Sequence, residues 1–164
     1  MLYYNHDKLG LAAHIIAQTY VRDVDLYKLY YKSARLSSGD TTFLYCVVAH
    51  LKAGSSDQDK RRDMAKNTMD YIETHHPDNN YLLMGDFNVY SDEEPAFQEF
   101  INYSDANIRF NDPAEKIGHW HNNADYSIVH SQSTHTNNNG CASSGGMDDR
   151  FDFILISNNI KNKQ

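Results

Sequence analysis

The 164-residue sequence has few of the features that would place a chain outside the ordinary globular class. It has only 3 prolines and 2 cysteines, and no apolar run approaches the roughly 20 residues of a membrane span. The cysteines lack the spacing of a zinc site. Cys46 in an apolar run and Cys141 in a polar loop are most simply interpreted as unpaired thiols. The composition, 40% hydrophobic and 23% charged, predicts a folded domain rather than disorder.

Basic residues are also scarce, with 15 Lys and Arg against 22 Asp and Glu and a formal net charge of −7. This balance argues against non-specific adhesion to nucleic acid or to an anionic membrane. It does not exclude a nuclease, because carboxylates can bind a phosphate through a bridging cation. The first residues, MLYYNHDKLGL, lack the basic and then apolar segments of a signal peptide, so the sequence does not indicate a localisation.

Strand patterns alternate with helix patterns along the chain, which predicts an α/β fold. The strongest strand signals cover residues 24–32, 42–51, 80–87 and 150–156, weaker ones cover 1–4 and 13–20, and helix signals cover 57–75 and 92–102. A turn at 37–40 predicts that the first two strong strands form an antiparallel hairpin. Residues 104–149 are polar and are expected to form long loops with a strand or two. No linker divides the chain, so we expect one domain over residues 1–164.

The segment Met-Gly-Asp-Phe-Asn at residues 84–88 carries the strongest chemical signal. It ends a predicted buried strand and delivers Asp86 and Asn88, one residue apart, to the rim of the sheet. Carboxylate and carboxamide oxygens suit Mg²⁺, so these two residues are candidate metal ligands. The alternative is an ordinary turn, since Asp and Asn are common turn formers.

Two further candidates lie at other strand ends. His50 ends the apolar strand VVAHL, where a histidine has either a structural or a catalytic role. Asp152 lies inside the strand RFDFILI, and a buried, unpaired carboxylate there would cost several kcal/mol. We therefore expect Asp152 to have a partner, either a histidine, a metal or the neighbouring Arg150.

His119 and His121 have the spacing that places two imidazoles on one strand face, as in a metal site. A pair of exposed loop histidines is the favoured interpretation, because clusters of titratable residues are often structural.

Three motifs in order, VVAHLKAG (47–54), LLMGDFN (82–88) and RFDFILIS (150–157), the last preceded by a Gly/Ser-rich loop, resemble the endonuclease/exonuclease/phosphatase superfamily of DNase I-like proteins. The resemblance implies a two-sheet α/β sandwich with flanking helices, here incomplete. It also implies hydrolysis of a phosphoester by a nuclease, phosphodiesterase or phosphatase. The implied cofactor is Mg²⁺ or another divalent cation such as Mn²⁺ or Ca²⁺.

The resemblance assigns roles to four residues. His50 matches a histidine that assists proton transfer, and Asp86 matches the aspartate that orients or deprotonates the attacking water near the metal. Asn88 matches the carboxamide that stabilises the phosphate as negative charge develops. Asp152 matches an aspartate that supports the site through hydrogen bonds.

Two family elements have no counterpart in this sequence. An early Asn and a metal-binding Glu are expected on the first strands, but the first glutamate is Glu73. A Ser-Asp-His motif is expected after the last strand, but the seven residues after Ser157 contain neither Asp nor His. Losing two members of a cooperating set predicts little or no activity.

Three interpretations follow: a piece of an active hydrolase, a non-catalytic binding domain that keeps the fold, and an unrelated α/β domain, which the ordered motifs disfavour. The first is favoured because the motif spacing is intact in the middle while the losses lie at both ends, and retention of all four site residues argues against the second. An exposed apolar sheet face would follow from missing strands, so we also expect self-association. The substrate is a phosphoester, with nucleic acid among the candidates. Similar bacterial proteins are often exported.

Overall fold

The apolar strands of the sequence come together in one six-stranded sheet. The computed structural model describes residues 1–39, 41–75, 79–137, 140 and 144–162. The strands are β1 (Leu9–Gln18), β2 (Val24–Tyr31), β3 (Phe43–His50), β4 (Tyr81–Asp86), β5 (Phe110–Asn111) and β6 (Asp152–Ser157). The helices are α1 (Gln58–His75), α2 (Pro95–Ile101) and α3 (Asn158–Lys161), with 3₁₀ turns at Leu36–Ser38, Ala106–Ile108 and Ala124–Val129.

The strand order is β1-β2-β3-β4-β6-β5. Strands β3 and β4 are parallel, and every other neighbouring pair is antiparallel. Helix α1 makes the crossover that a parallel connection requires. The carboxyl ends of β3 and β4 therefore lie at the same edge of the sheet.

One face of the sheet is packed against the helices. Alternate residues of the central strands are buried there, including Val47, Leu83 and Leu155 at 0% exposure. Helix α1 contributes side chains at three- and four-residue steps, as its sequence predicts: Met64, Ala65, Thr68, Met69 and Ile72. The opposite face, which we call the open face, exposes apolar side chains such as Ile154 and Ile16, at 58% and 49% exposure.

The α/β fold with flanking helices is confirmed. The antiparallel hairpin of β2 and β3 and the helix over residues 57–75 also form as predicted. The described strands form a single sheet, whereas the family resemblance implies two. Cys46 is a buried free thiol, as expected. Cys141 and Asp40, the last residue of the predicted turn, lie outside the described residues.

Two element boundaries differ from the sequence predictions. Residues 1–4 form no strand, because no neighbouring strand pairs with them, and β1 instead begins at Leu9. The second helix begins at Pro95 rather than at residue 92. Proline is well suited to the first turn of a helix, where its missing N–H is not needed. Within the described residues, no helix could span a membrane.

Candidate active site

The strand register places three predicted site residues side by side. His50 pairs with Asp86 across β3 and β4, and Asp86 pairs with Asp152 across β4 and β6. Residues directly opposite each other on neighbouring strands point to the same face. The buried Val47 and Ala49 point towards the helices, so His50 and its partners point to the open face. We call this set the His50–Asp86–Asp152 row.

Within this row, an accessible imidazole lies beside a partly buried carboxylate. His50 Nε2 is 3.6 Å from Asp86 Oδ2, which is within ion-pair range but too long for a hydrogen bond. The His50 side chain is 60% exposed and that of Asp86 is 37% exposed. Leu51 N donates to Asp86 O at 2.9 Å, which extends the pairing of the two strands past His50. Both functional groups are therefore held on backbone that is paired up to the edge of the sheet.

Gly85 allows this close approach of β4 to β3. Its φ is +133°, and a Cβ at this position would lie 2.0 Å from Ala49 O. Any side chain would therefore force the two strands apart. The glycine of the Gly-Asp-Phe-Asn motif is needed for the strand spacing that brings His50 and Asp86 together.

Asn88, two residues after Asp86, is bonded at the ends of both strands of the site. Its φ of +51° lies in the left-handed region, which asparagine tolerates better than most residues. The Asn88 backbone N–H donates to Asp86 Oδ1 at 2.9 Å, and its side-chain Nδ2 donates to Leu51 O at 3.2 Å. One residue therefore orients the carboxylate of Asp86 and ties β4 to the segment that follows His50.

Burial is the main reason why the pKa of Asp86 is raised above its ordinary value. The negative charge of Asp152 raises this pKa further, while the Asn88 N–H and the charge of His50 lower it. A raised carboxyl pKa means that the anionic form lacks sufficient compensation from the protein alone. A bound cation would supply that compensation.

Asp152 is not buried, so the desolvation cost from which we inferred a partner does not arise, and Arg150 is not that partner. Asp152 points to the open face and is exposed, whereas the neighbouring Phe153 is buried at 2%. Arg150, the suggested partner, instead donates to both oxygens of Asp112 at 2.8 Å. The sequence pattern reveals an apolar strand but not that one of its faces is uncovered.

A buried ion pair behind the site was missed. Arg61 (0% exposed) and Glu94 (4% exposed) are paired through Arg61 Nε and Glu94 Oε1. Arg61 Nη1 donates to Lys52 O and Gly54 O at 2.8 and 2.7 Å, and Glu94 Oε2 accepts from Tyr90 N at 3.1 Å. The pair, which we call the Arg61–Glu94 clasp, therefore joins the segments that follow His50 and Asn88.

A signal for this clasp exists in the sequence. Arg61 lies three and four residues before Met64 and Ala65, on the predicted buried face of α1. A buried arginine requires a charged partner, since its desolvation is otherwise too costly. The partner itself, Glu94, is 33 residues away and could not be identified from spacing.

The two loop histidines do not share a site. His119 is exposed, with Nε2 3.5 Å from Glu93 Oε1, whereas His121 Nδ1 bonds both oxygens of Asp149. The segment is a loop, as the favoured interpretation predicts, but the buried partner of His121 was not anticipated. In the described part of the chain, no group of three or more His, Cys, Asp or Glu residues is arranged to hold a metal ion.

Comparison with known proteins identifies the fold. No protein-family model and no curated protein matches the sequence. Solved structures do match: the human Nocturnin catalytic domain with bound sulfate (TM-score 0.52, 16% identity, 93% of this chain and 49% of that one) is one of them. Another is an endonuclease/exonuclease/phosphatase from Bacteroides vulgatus (TM-score 0.53, 13% identity, 94% of this chain and 57% of that one). A third is D. rerio TDP2 complexed with single-strand DNA product (TM-score 0.53, 15% identity, 92% of this chain and 54% of that one).

These similarities extend over nearly all of the chain. The chain spans about half the length of the proteins it matches, 49% to 57% in these three. The identities, 13% to 16%, establish the fold only. The fold that the three sequence motifs imply is thus confirmed: this chain has the DNase I-like fold of endonuclease/exonuclease/phosphatase proteins.

Proposed function

We propose that this chain carries the central part of a metal-dependent phosphoester hydrolase site. The observation that supports the proposal is the His50–Asp86–Asp152 row, in which the strand register brings a histidine and two carboxylates from separate motifs to one edge of the sheet. Asp86 and Asp152 lie directly opposite each other, and such a pairing of like charges is unfavourable in a sheet unless a cation offsets it.

The donor set fits a hydrated magnesium ion. Asp86 and Asp152 provide two neighbouring, solvent-accessible carboxylates, and Asn88 lies beside them. Mg²⁺ commonly keeps several waters and is held by one or two carboxylates together with substrate phosphate oxygens, so a larger protein cage is not required. When bound, the ion would act as a Lewis acid on the phosphate and would offset the charge on Asp86. Mn²⁺ or Ca²⁺ would suit the same oxygen ligands.

The remaining chemistry is assigned to the side chains of the row. Asp86 orients the attacking water, with its carboxylate held by the Asn88 N–H. His50, whose imidazole is accessible, exchanges a proton with the reacting phosphate group. Asn88, whose Nδ2 donates to Leu51 O, is assigned the carboxamide that stabilises the phosphate. Asp152 supports Asp86 from the adjacent strand.

The substrate class is a phosphoester, and nucleic acid is a candidate. One matching structure, TDP2, is complexed with a single-strand DNA product. The net charge of −7 disfavours tight non-specific binding to such a polyanion, so we expect recognition to depend on the cation. The non-catalytic binding role is the alternative that the experiments below distinguish.

Hydrolysis of plasmid DNA and of bis(p-nitrophenyl) phosphate should be measured with Mg²⁺ and with EDTA, for the wild-type chain and for Asp86→Ala. We expect metal-dependent turnover that is weak, since two elements of the family site have no counterpart in this sequence, and Asp86→Ala should reduce it by at least about 100-fold, the scale on which cooperating catalytic residues act. Asp59→Ala is the matched control, because Asp59 is an exposed aspartate on α1, away from the open face.

Metal binding gives a readout that does not require turnover. Mn²⁺ added to the ¹⁵N-labelled protein should broaden the amide signals of Asp86, Asn88 and Asp152 first, and Asp86→Ala should abolish this selectivity. Binding without hydrolysis would favour the non-catalytic alternative. Uniform broadening across the surface, together with no turnover, would contradict the proposed site.

A further inference from the structure

His121 is held in one orientation by a buried carboxylate. Asp149 is 2% exposed, and its two oxygens lie 2.9 and 3.0 Å from His121 Nδ1. A carboxylate only accepts, so Nδ1 carries a proton and the other nitrogen, Nε2, is the end of the ring that Asp149 does not hold. Within the described residues, Nε2 bonds the Nδ2 of the exposed Asn122 side chain at 2.8 Å, and the His121 side chain is 49% exposed. An imidazole fixed in this way is the arrangement expected of a proton-transfer group.

The loop that carries His121 is anchored on both sides of the ring. Trp120 is fully buried, and its Nε1 donates to Val89 O at 3.1 Å. Asn122 N donates to Asp148 O at 2.8 Å. The ring of Tyr90 meets the His121 ring edge-on, with 5.4 Å between centroids. His121 is therefore positioned by the protein core rather than carried on a free loop.

These anchors lead directly to the candidate site. Val89 and Tyr90 follow Asn88 in the chain. Tyr90 also meets Phe151, the residue before Asp152, with ring centroids 5.3 Å apart. Asp149 precedes Asp152 by three residues, so their Cα atoms are at most about 11 Å apart even in a fully extended chain. His121 thus lies beyond the same edge of the sheet as the His50–Asp86–Asp152 row.

His121 and His50 approach this edge from different sides. His50 belongs to β3, on one side of β4, whereas Asp149 leads into β6, on the other side. The carboxylates of Asp86 and Asp152 lie between them in the strand order. In-line displacement at phosphorus has the entering and the leaving oxygen on opposite sides, and each needs a proton partner.

We propose that His121, oriented by Asp149, protonates the leaving oxygen of the phosphoester. This inference rests on the proposed hydrolase function. Water attacks phosphorus and forms the new P–O bond. A proton of this water passes to the side of the site that Asp86 and His50 form. The P–O bond to the leaving group breaks with its electron pair, and that oxygen receives the proton from His121 Nε2. Asp149 balances the charge of the imidazolium before transfer.

The choice of leaving group tests this role. An alkoxide, as released from DNA, needs a proton as it departs, whereas p-nitrophenolate leaves readily without one. His121→Gln should therefore reduce cleavage of plasmid DNA by about 10²- to 10⁴-fold, the range for a lost general acid. Its effect on bis(p-nitrophenyl) phosphate should remain below tenfold. Asp149→Asn should shift the two rates in the same unequal way.

His119→Gln is the matched control, because His119 is an exposed histidine of the same loop whose carboxylate neighbour, Glu93, is also exposed, and the variant should leave both rates unchanged. Equal losses on both substrates, or no loss on DNA, would overturn the role of His121. A wild-type chain inactive on both substrates would instead refute the proposed function, and this role with it.

Histidine ¹⁵N NMR of the metal-free protein tests the orientation separately. A slowly exchanging Nδ1–H signal from His121 should be present and should be lost in Asp149→Asn. Rapid exchange of that proton in the wild-type protein would show that Asp149 does not fix the ring, and the inference would fail whatever the activity.

Discussion

The Arg61–Glu94 clasp offers the sharpest test of how the fold supports the site. Both side chains are buried, and together they bond the Lys52 and Gly54 carbonyl groups and the Tyr90 N–H. Arg61→Met keeps most of the apolar volume but leaves a buried glutamate and two carbonyl groups without their cationic donor. Removing one partner of a buried ion pair costs about 3–5 kcal/mol. For a domain of this size that corresponds to a fall in Tm of roughly 6–20 °C.

The double variant Arg61→Met/Glu94→Gln separates pairing from packing. It removes both charges and keeps the side-chain oxygen that accepts from Tyr90 N. Its loss of unfolding free energy should therefore be smaller than the sum of the losses in the single variants Arg61→Met and Glu94→Gln. The expected coupling is about 1–3 kcal/mol. Urea denaturation followed by circular dichroism measures all three variants. Arg62→Met is the matched control, since the adjacent Arg62 forms surface ion pairs with Asp59 and Asp63 and its loss should cost less than about 1 kcal/mol.

Two outcomes would refute this reasoning about the clasp. If Arg61→Met costs no more than Arg62→Met, the buried pair contributes nothing beyond a surface contact. If the double variant equals the sum of the single ones, the two charges do not act on each other. Because the clasp joins the segments after His50 and Asn88, we also expect Mn²⁺-induced broadening at Asp86 to weaken in Arg61→Met while the protein remains folded.

Three further predictions follow from the same edge of the sheet. Gly85→Ala should destabilise the fold by more than about 2 kcal/mol in urea denaturation, because its Cβ would meet Ala49 O; an unchanged midpoint would contradict the strand spacing. In metal-free protein, Asp152→Asn should lower the raised pKa of Asp86, which ¹³C NMR measures. A carboxyl pKa that is higher in the folded than in the unfolded protein stabilises the fold at low pH, and this stabilisation is lost as the pH rises through the folded pKa. The variant should therefore be more stable than the wild-type protein at neutral pH. Light scattering should show concentration-dependent self-association through the open face, reduced by Ile154→Lys; a monomer at every concentration would oppose it.

Local patterns predicted the elements well where each pattern has a local cause. The apolar runs of β3, β4 and β6 and the three- and four-residue repeat of α1 appear in the structure because burial of one face or both selects them. The Gly-Asp-Phe-Asn motif predicted a carboxylate at a strand end, since alternation and a glycine turn are properties of a few consecutive residues. The start of α2 at Pro95 was missed, because Asp92 and Glu93 have composition compatible with a helix as well as with a turn.

The sequence by itself determined which residues carry polar chemistry at the ends of apolar strands, and it determined the order of the motifs that resemble a superfamily. Tertiary structure alone decided their partners. Strand register placed His50, Asp86 and Asp152 in one row, and the uncovered face left Asp152 exposed. Contacts between distant segments paired Arg150 with Asp112 and His121 with Asp149. The physical reason is that alternation and helical periodicity are set within a few residues, whereas a side chain's charge partner depends on pairings between segments far apart in the chain.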